Sequence, residues 1–167
     1  MKNTCCFTGH RPAGLPFKYN EQDPRCIDLK NRLRFSITRL ITENEVTNFI
    51  TGMAMGVDIF AAEEVLALKK RFPNIRLICA IPCQNQTDGW NTGWRKRYEA
   101  VLNSADESVV LSAEYTAACM HVRNRYMVDN SKYIIAVWNG KGSGTSSTIK
   151  YAEKKERKII IINPEEL

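Results

Sequence analysis

Residues 133–147 read Tyr133-Ile134-Ile135-Ala136-Val137-Trp138-Asn139-Gly140-Lys141-Gly142-Ser143-Gly144-Thr145-Ser146-Ser147. The first six hardly alternate polar with apolar, which is the pattern of a strand buried on both faces. Ile75-Arg76-Leu77-Ile78-Cys79-Ala80-Ile81 repeats it. Four more β-type runs, Thr4 to Thr8, Thr47 to Thr51, Glu107 to Leu111 and Lys158 to Ile162, complete a set of six. Segments of helical period separate them. Asp23 can cap the first helix and Pro24 fits its first position, with Ile27, Leu33, Ile37, Leu40 and Ile41 as the apolar stripe. The next runs from about Val57 to Phe72 and stops at Pro73. Further helices are expected from about Trp94 to Leu102, Met120 to Asn130 and Thr145 to Arg157. Doubly buried strands alternating with helices predict an α/β fold: a Rossmann-like open, mostly parallel sheet with helices on both faces.

Composition agrees with one domain over residues 1–167, since 44% of the chain is hydrophobic and 25% charged. No apolar run approaches the ~20 residues of a membrane span, and Met1 to Phe7 lacks the apolar stretch of a signal peptide, so a cytoplasmic location and no membrane partner are expected. The six cysteines are scattered, and Cys79 with Cys83 has no second close pair, so reduced thiols and no metal are expected. The net charge of +6 admits anionic partners without identifying one. The basic clusters at Lys69-Lys70-Arg71, Arg95-Lys96-Arg97 and Lys154 to Lys158 fall near helix ends, where cations suit the helix dipole.

Ligands of open α/β sheets bind beyond the carboxyl ends of the strands, often at helix N-termini. After the first strand, Gly9, His10 and Arg11 offer a permissive backbone and a cation; a simple turn with Arg11 paired to a surface acid is the alternative. After the second, Gly52 and Gly56 allow close approach to an anion or merely tight helix-on-sheet packing. Asp58, in the first helical turn, could accept hydrogen bonds from a ribose or simply favour the helix. After the third, Gln86 could read a base edge and Trp90 stack on it, or Trp90 could anchor its own loop. After the fifth, the three glycines Gly140, Gly142 and Gly144 permit positive φ and expose amides. Ser143, Thr145, Ser146 and Ser147 add hydroxyls. The Gly-Lys-Ser/Thr of a Walker A loop is absent, which disfavours P-loop ATPase chemistry. In the helix before that strand, Arg123 suits a bidentate phosphate contact, and Met120 and Met127 read as core.

Thr8 to Pro12, Gly52 to Asp58, Gln86 with Trp90, Arg123-Asn124-Arg125-Tyr126-Met127-Val128-Asp129 and Gly144-Thr145, taken in order, resemble the YpsA group of the SLOG superfamily. That superfamily includes the DNA-processing protein DprA and the LOG phosphoribohydrolases. The resemblance implies a Rossmann-like domain that binds a nucleotide or nucleotide-derived ligand, of the ADP-ribose or NAD-derivative type, in a sensor or regulatory role. It places ligand contacts at Gly9, His10, Arg11, Gly52, Gly56, Asp58, Gln86, Trp90, Arg123, Asn124, Gly142, Ser143, Gly144 and Thr145. No cofactor beyond such a ligand is expected, and a homo-oligomer is compatible with everything above. The LOG branch carries Pro-Gly-Gly-x-Gly-Thr-x-x-Glu at its last ligand loop; here Thr148 stands in the place of Glu and no Pro precedes the glycines. An N-glycosidase needs a carboxylate beside the oxocarbenium-like centre, and a threonine hydroxyl cannot supply that charge. A phosphoribohydrolase, with Asp58 and Arg123 as its catalytic candidates, is thus the first alternative to a binding role. A DprA-like single-strand binder is the second.

Overall fold

All six expected strands form, and every pairing between them is parallel. The computed structural model describes residues 1–167. Its order is β1 (Thr4–Gly9), α1 (Pro24–Asn44), β2 (Asn48–Thr51), α2 (Val57–Leu68), β3 (Arg76–Ile81), α3 (Thr92–Ser104), β4 (Glu107–Val110), α4 (Cys119–Asp129), β5 (Tyr133–Val137), α5 (Gly144–Lys154) and β6 (Lys158–Ile162). In the sheet the strands lie β4-β3-β2-β1-β5-β6. The chain therefore builds outward from β1 to β4, returns across the sheet, and continues outward from β5 to β6. Right-handed crossovers then put α1, α2 and α3 on one face and α4 and α5 on the other.

Side chains of each strand divide between two cores, as the two-residue period requires. Cys5 and Phe7 of β1, Leu77 and Cys79 of β3, and Tyr133, Ile135 and Val137 of β5 join the larger core beneath α1 to α3. Cys6, Ile50, Ala80 and Ile134 meet Met127 and Val128 of α4 and Ala152 of α5 in the smaller one. With both faces covered, the central strands are mostly apolar on both sides, their buried polar residues being the threonines Thr4, Thr8 and Thr51, which is why the runs do not alternate.

Asp23 caps α1 by accepting the Arg25 N–H at 2.9 Å, with Pro24 at the first helical position. The buried stripe of α1 is Cys26, Leu29, Leu33, Ile37 and Leu40, so the helix phase starts one residue before the expected Ile27, which is 50% exposed. α2 ends at Leu68, and turns rather than helix carry the chain to Pro73. Lying between α1 and α3, α2 is buried on nearly every side, taking Asp58 and Glu64 inside with it. Glu64 is met there by Arg34 at 2.8 Å. All six cysteines are free and buried, and burial pushes the Cys6 and Cys79 thiols up to about 12. No helix is long and apolar enough to cross a membrane.

The end of β1 and the start of α2 touch. A Cβ on Gly9 would stand 2.6 Å from Val57 Cγ1, and one on Gly56, whose φ is +90°, would stand 2.8 Å from the His10 carbonyl oxygen. Gly142, by contrast, faces open space. Gly56→Ala is therefore expected to lose about 2–4 kcal/mol of stability, combining a disfavoured φ with a backbone collision, whereas Gly142→Ala should stay within about 0.5 kcal/mol. Urea denaturation of the two variants checks the contrast.

Candidate functional site

β1 and β5 are neighbours whose following connections leave in opposite directions, so a crevice opens beyond their carboxyl ends. A cavity of about 310 Å³ fills it. Gly9, His10 and Arg11 come to it from the end of β1, Asp58 from the start of α2, Arg123 and Asn124 from α4, and Ser143, Gly144 and Thr145 from the start of α5. Five other expected residues, Gly52, Gly56, Gln86, Trp90 and Gly142, do not line it.

Most of those five have work behind the wall. The Gly52 carbonyl accepts two hydrogen bonds, one from Arg123 Nη1 and one from Gln86 Nε2 at 3.1 Å. A Cβ on Gly52 would stand 2.6 Å from Arg123 Nη1 and 2.8 Å from Asp58 Oδ2, so only glycine lets the two charged groups come this near the strand end. Gly56 keeps the β1 connection against α2. Trp90 packs edge-on against Tyr98 with ring centroids 5.5 Å apart, which anchors its loop to α3. Among the glycines after β5, only Gly140 adopts positive φ (+86°); Gly142 and Gly144 do not use that freedom.

The loop from Thr51 to Val57 is wrapped around Asp58. The Thr51 hydroxyl donates to the Asp58 main-chain carbonyl at 2.9 Å, the Met53 N–H donates to Thr51 Oγ1 at 3.3 Å, and the Ala54 N–H donates to Asp58 Oδ2 at 3.2 Å. Met53 is wholly buried and held at φ +63°, a left-handed conformation that costs a non-glycine residue about 1 kcal/mol or more and that this network sustains. Across from it, Arg123 donates through Nε to Asn124 Oδ1 at 2.7 Å. Asp58 Oδ1 and Arg123 Nη2 have no protein partner, although both residues line the cavity.

Asp58 is 6% exposed and Arg123 5%. Burial raises the Asp58 carboxyl above its ordinary value, against the pull of the Arg123 charge, the Ala54 N–H and Arg11. Burial likewise lowers Arg123, with Asp58 opposing and Arg11 reinforcing the shift. The two do not close into a contact ion pair. Burial also holds His10 below the ordinary imidazole value, with Glu165 acting the other way, and its Nε2 is buried without a partner. At the other wall, Ser143 caps α5 by accepting the Ser146 N–H at 3.2 Å, which leaves the first amides of that helix turned toward the cavity with its positive dipole end. The site thus sets positive groups, Arg11, Arg123 and the dipole end of α5, beside a carboxylate.

Thr8, Phe7 and Ala54 also line the cavity, as do Met120 and Met127, and Met127 belongs at the same time to the smaller core, as its expected packing role requires. Their signal was the helical spacing of Met120, Arg123 and Met127, which places all three on one side of α4. Thr148 is buried, its hydroxyl donating to the Gly144 carbonyl at 3.1 Å, and it does not line the cavity.

A family model named YpsA, described as the YspA SLOG family, matches residues 5–167. The uncharacterized SPbeta prophage-derived protein YoqJ of Bacillus subtilis (strain 168) is 36% identical over 145 residues, covering 80% of this chain and 85% of its own. Among solved structures, DNA processing protein A of Helicobacter pylori, described by its single-stranded DNA binding mode, superposes with a TM-score of 0.64 at 18% identity over 96% of this chain. DNA processing protein A of Streptococcus pneumoniae does so with a TM-score of 0.63 at 16% identity over 95% of it. The aligned region spans 65% and 49% of those two chains, respectively, and the likeness is one of fold.

Removing Arg123 strips Asp58 of its main opposing charge. Arg123→Met is expected to cost roughly 2–4 kcal/mol at neutral pH, because a buried carboxylate is left uncompensated. A carboxyl whose folded pKa is raised destabilises the fold when ionised, and that penalty is relieved as pH falls through the folded pKa. The deficit of Arg123→Met should therefore shrink on acidification from pH 7 and shrink likewise when Asp58→Asn is added. Chemical denaturation across pH checks this; a pH-independent deficit unaffected by Asp58→Asn would show that the two charges are uncoupled.

Proposed function

The chain belongs to the YpsA SLOG family, and we propose that it binds a nucleotide or nucleotide-derived ligand, of the ADP-ribose or NAD-derivative type, in the cavity between β1 and β5. The observation that carries this reading is the pair of buried side chains Arg123 and Asp58, set side by side at Gly52 and each with an uncommitted polar atom, in the lining of a cavity that the α5 N-terminus also borders. A phosphate is held by the α5 amides, Arg11 and Arg123, while Asp58 accepts a ribose hydroxyl and the unpartnered His10 Nε2 meets another polar group of the ligand. The volume of about 310 Å³ sits at the small end of the roughly 300–1,000 Å³ usual for small-molecule sites. We read residues 1–167 as one such ligand-binding domain, placed in the cytosol on account of its free, buried thiols and acting as a sensor or regulator.

The carboxylates favour binding over hydrolysis. Asp58 is the sole acid lining the cavity and one of its oxygens already holds the Ala54 N–H, while Thr148 stands where a LOG-type glutamate would be and is turned to its own helix. A hydrolase reading is favoured by the raised Asp58 carboxyl, a feature shared with general acids. Single-strand binding draws on the net charge of +6 and the fold shared with two DNA processing proteins, but Phe7 is the sole aromatic residue at the cavity.

Native mass spectrometry of freshly purified protein should reveal a co-purified nucleotide, and calorimetry with AMP, ADP-ribose and NAD should rank the ligands. For the tightest of these, Arg11→Ala and Gly144→Val are each expected to weaken binding by about tenfold or more. Gly144→Val should leave the urea midpoint nearly unchanged, since a side chain there meets only open space. Unchanged affinity in both variants would move the ligand elsewhere. Incubation with nucleoside monophosphates should release no free base on chromatography; turnover by the parent that Asp58→Asn abolishes would make the hydrolase reading primary.

A further inference from the structure

Beside the cavity a groove of about 250 Å³ runs between α4 and α5, and Asn124 lines both. Four basic side chains converge on the groove: His121 and Arg125, one turn apart on α4, and Lys150 and Lys154, one turn apart on α5. No acidic residue lines it. None of the protein's ten ion pairs involves any of the four, whereas Lys30, Arg34, Lys69, Arg97 and others elsewhere all have carboxylate partners. Gathering the three unpaired cations Arg125, Lys150 and Lys154 into a concavity is unfavourable unless an anion neutralises them.

The floor of the groove is organised. Tyr151 donates its hydroxyl to Asp129 Oδ1 at 2.8 Å, which fixes the ring, and the Arg125 guanidinium lies over that ring with its carbon 5.3 Å from the centroid. Ser147 offers an exposed hydroxyl with no protein partner. Asn124 spends Oδ1 on Arg123 Nε, which leaves its Nδ2 to donate at the boundary between cavity and groove.

We propose that this groove is a second phosphate subsite, and that the ligand held between β1 and β5 extends past Asn124 to place a further phosphate among Arg125, Lys150 and Lys154. The chemical class is a nucleotide bearing two separated phosphate groups, such as a nucleoside bisphosphate, rather than a simple monophosphate. The assignment of the ligand's first end rests on the reading of the cavity above; the anion site itself rests on the groove alone.

Two probes separate these. In an amide NMR titration of the full chain at low ionic strength, inorganic pyrophosphate should produce saturable shifts in residues 121–125 and 147–154, and Lys150→Ala/Lys154→Ala should abolish them. Both lysines are exposed, so the double variant should fold as the parent does. Adenosine 3′,5′-bisphosphate should bind the parent about tenfold more tightly than AMP and lose that advantage in the double variant, with AMP affinity unchanged. No saturable response to pyrophosphate, or one that survives the double substitution, would overturn the subsite. So would an oligonucleotide that binds through these lysines while pyrophosphate does not, which would make the face a strand-binding surface. Pyrophosphate shifts in the groove together with no AMP binding would refute the cavity reading and keep the anion site; AMP binding with no gain for the bisphosphate would keep the cavity reading and overturn the proposal that one ligand spans both.

Discussion

β1 is paired on both edges, with β2 and β5, and its Cys5, Cys6 and Phe7 side chains are wholly buried. A strand in that position needs apolar cover above and below, and a chain that builds outward from it with right-handed crossovers can lay helices on one face only. Cover for the second face requires the return through α4 to β5. The crevice at the β1–β5 junction is a by-product of this burial requirement, and its polar lining comes from the end of β1, the starts of α2 and α5 and the middle of α4.

The succession of strands and helices along the chain was legible because burial on two faces leaves a run without alternation, and Asp23 with Pro24 marks a helix start in any context. The phase of α1 was not, since Cys26 and Ile27 are both apolar and only packing against the sheet decides which turns inward. Glycines were the least legible residues. Gly9 and Gly56 are needed for a contact between segments nearly fifty residues apart, Gly52 for room beside Arg123, and Gly140 for its φ, whereas Gly142 and Gly144 face open space. A sequence shows that a side chain is missing, never what would have collided with it. Gln86 escaped for a related reason, since the Gly52 carbonyl that claims it lies on another element, whereas for Trp90 the loop-anchoring alternative is the one the Tyr98 contact bears out.

Asp58 combines two demands that pull in different directions. As a structural acceptor it holds the strained loop through Met53 and Ala54, and as a cavity carboxylate it faces whatever binds. Burial makes its ionised form expensive, and Arg123, itself short of solvent, offsets part of that cost without closing on it. A fully formed ion pair would satisfy both groups internally and leave nothing for a ligand. Holding them apart across Gly52 keeps one polar atom of each in reserve.

The Gly52 carbonyl, shared by Arg123 and Gln86, also divides the site by how freely it can change. Asp58, Gly52, Gln86 and Arg123 form one interlocked floor in which each residue's position is set by another, so a substitution at any one disturbs folding before it alters recognition. Arg11, Gly144 and the groove lysines carry no such obligations. Substitution that reshapes the cavity without unfolding the chain is thereby confined to the rim, where one exposed residue can change at a time while the floor behind it keeps its form.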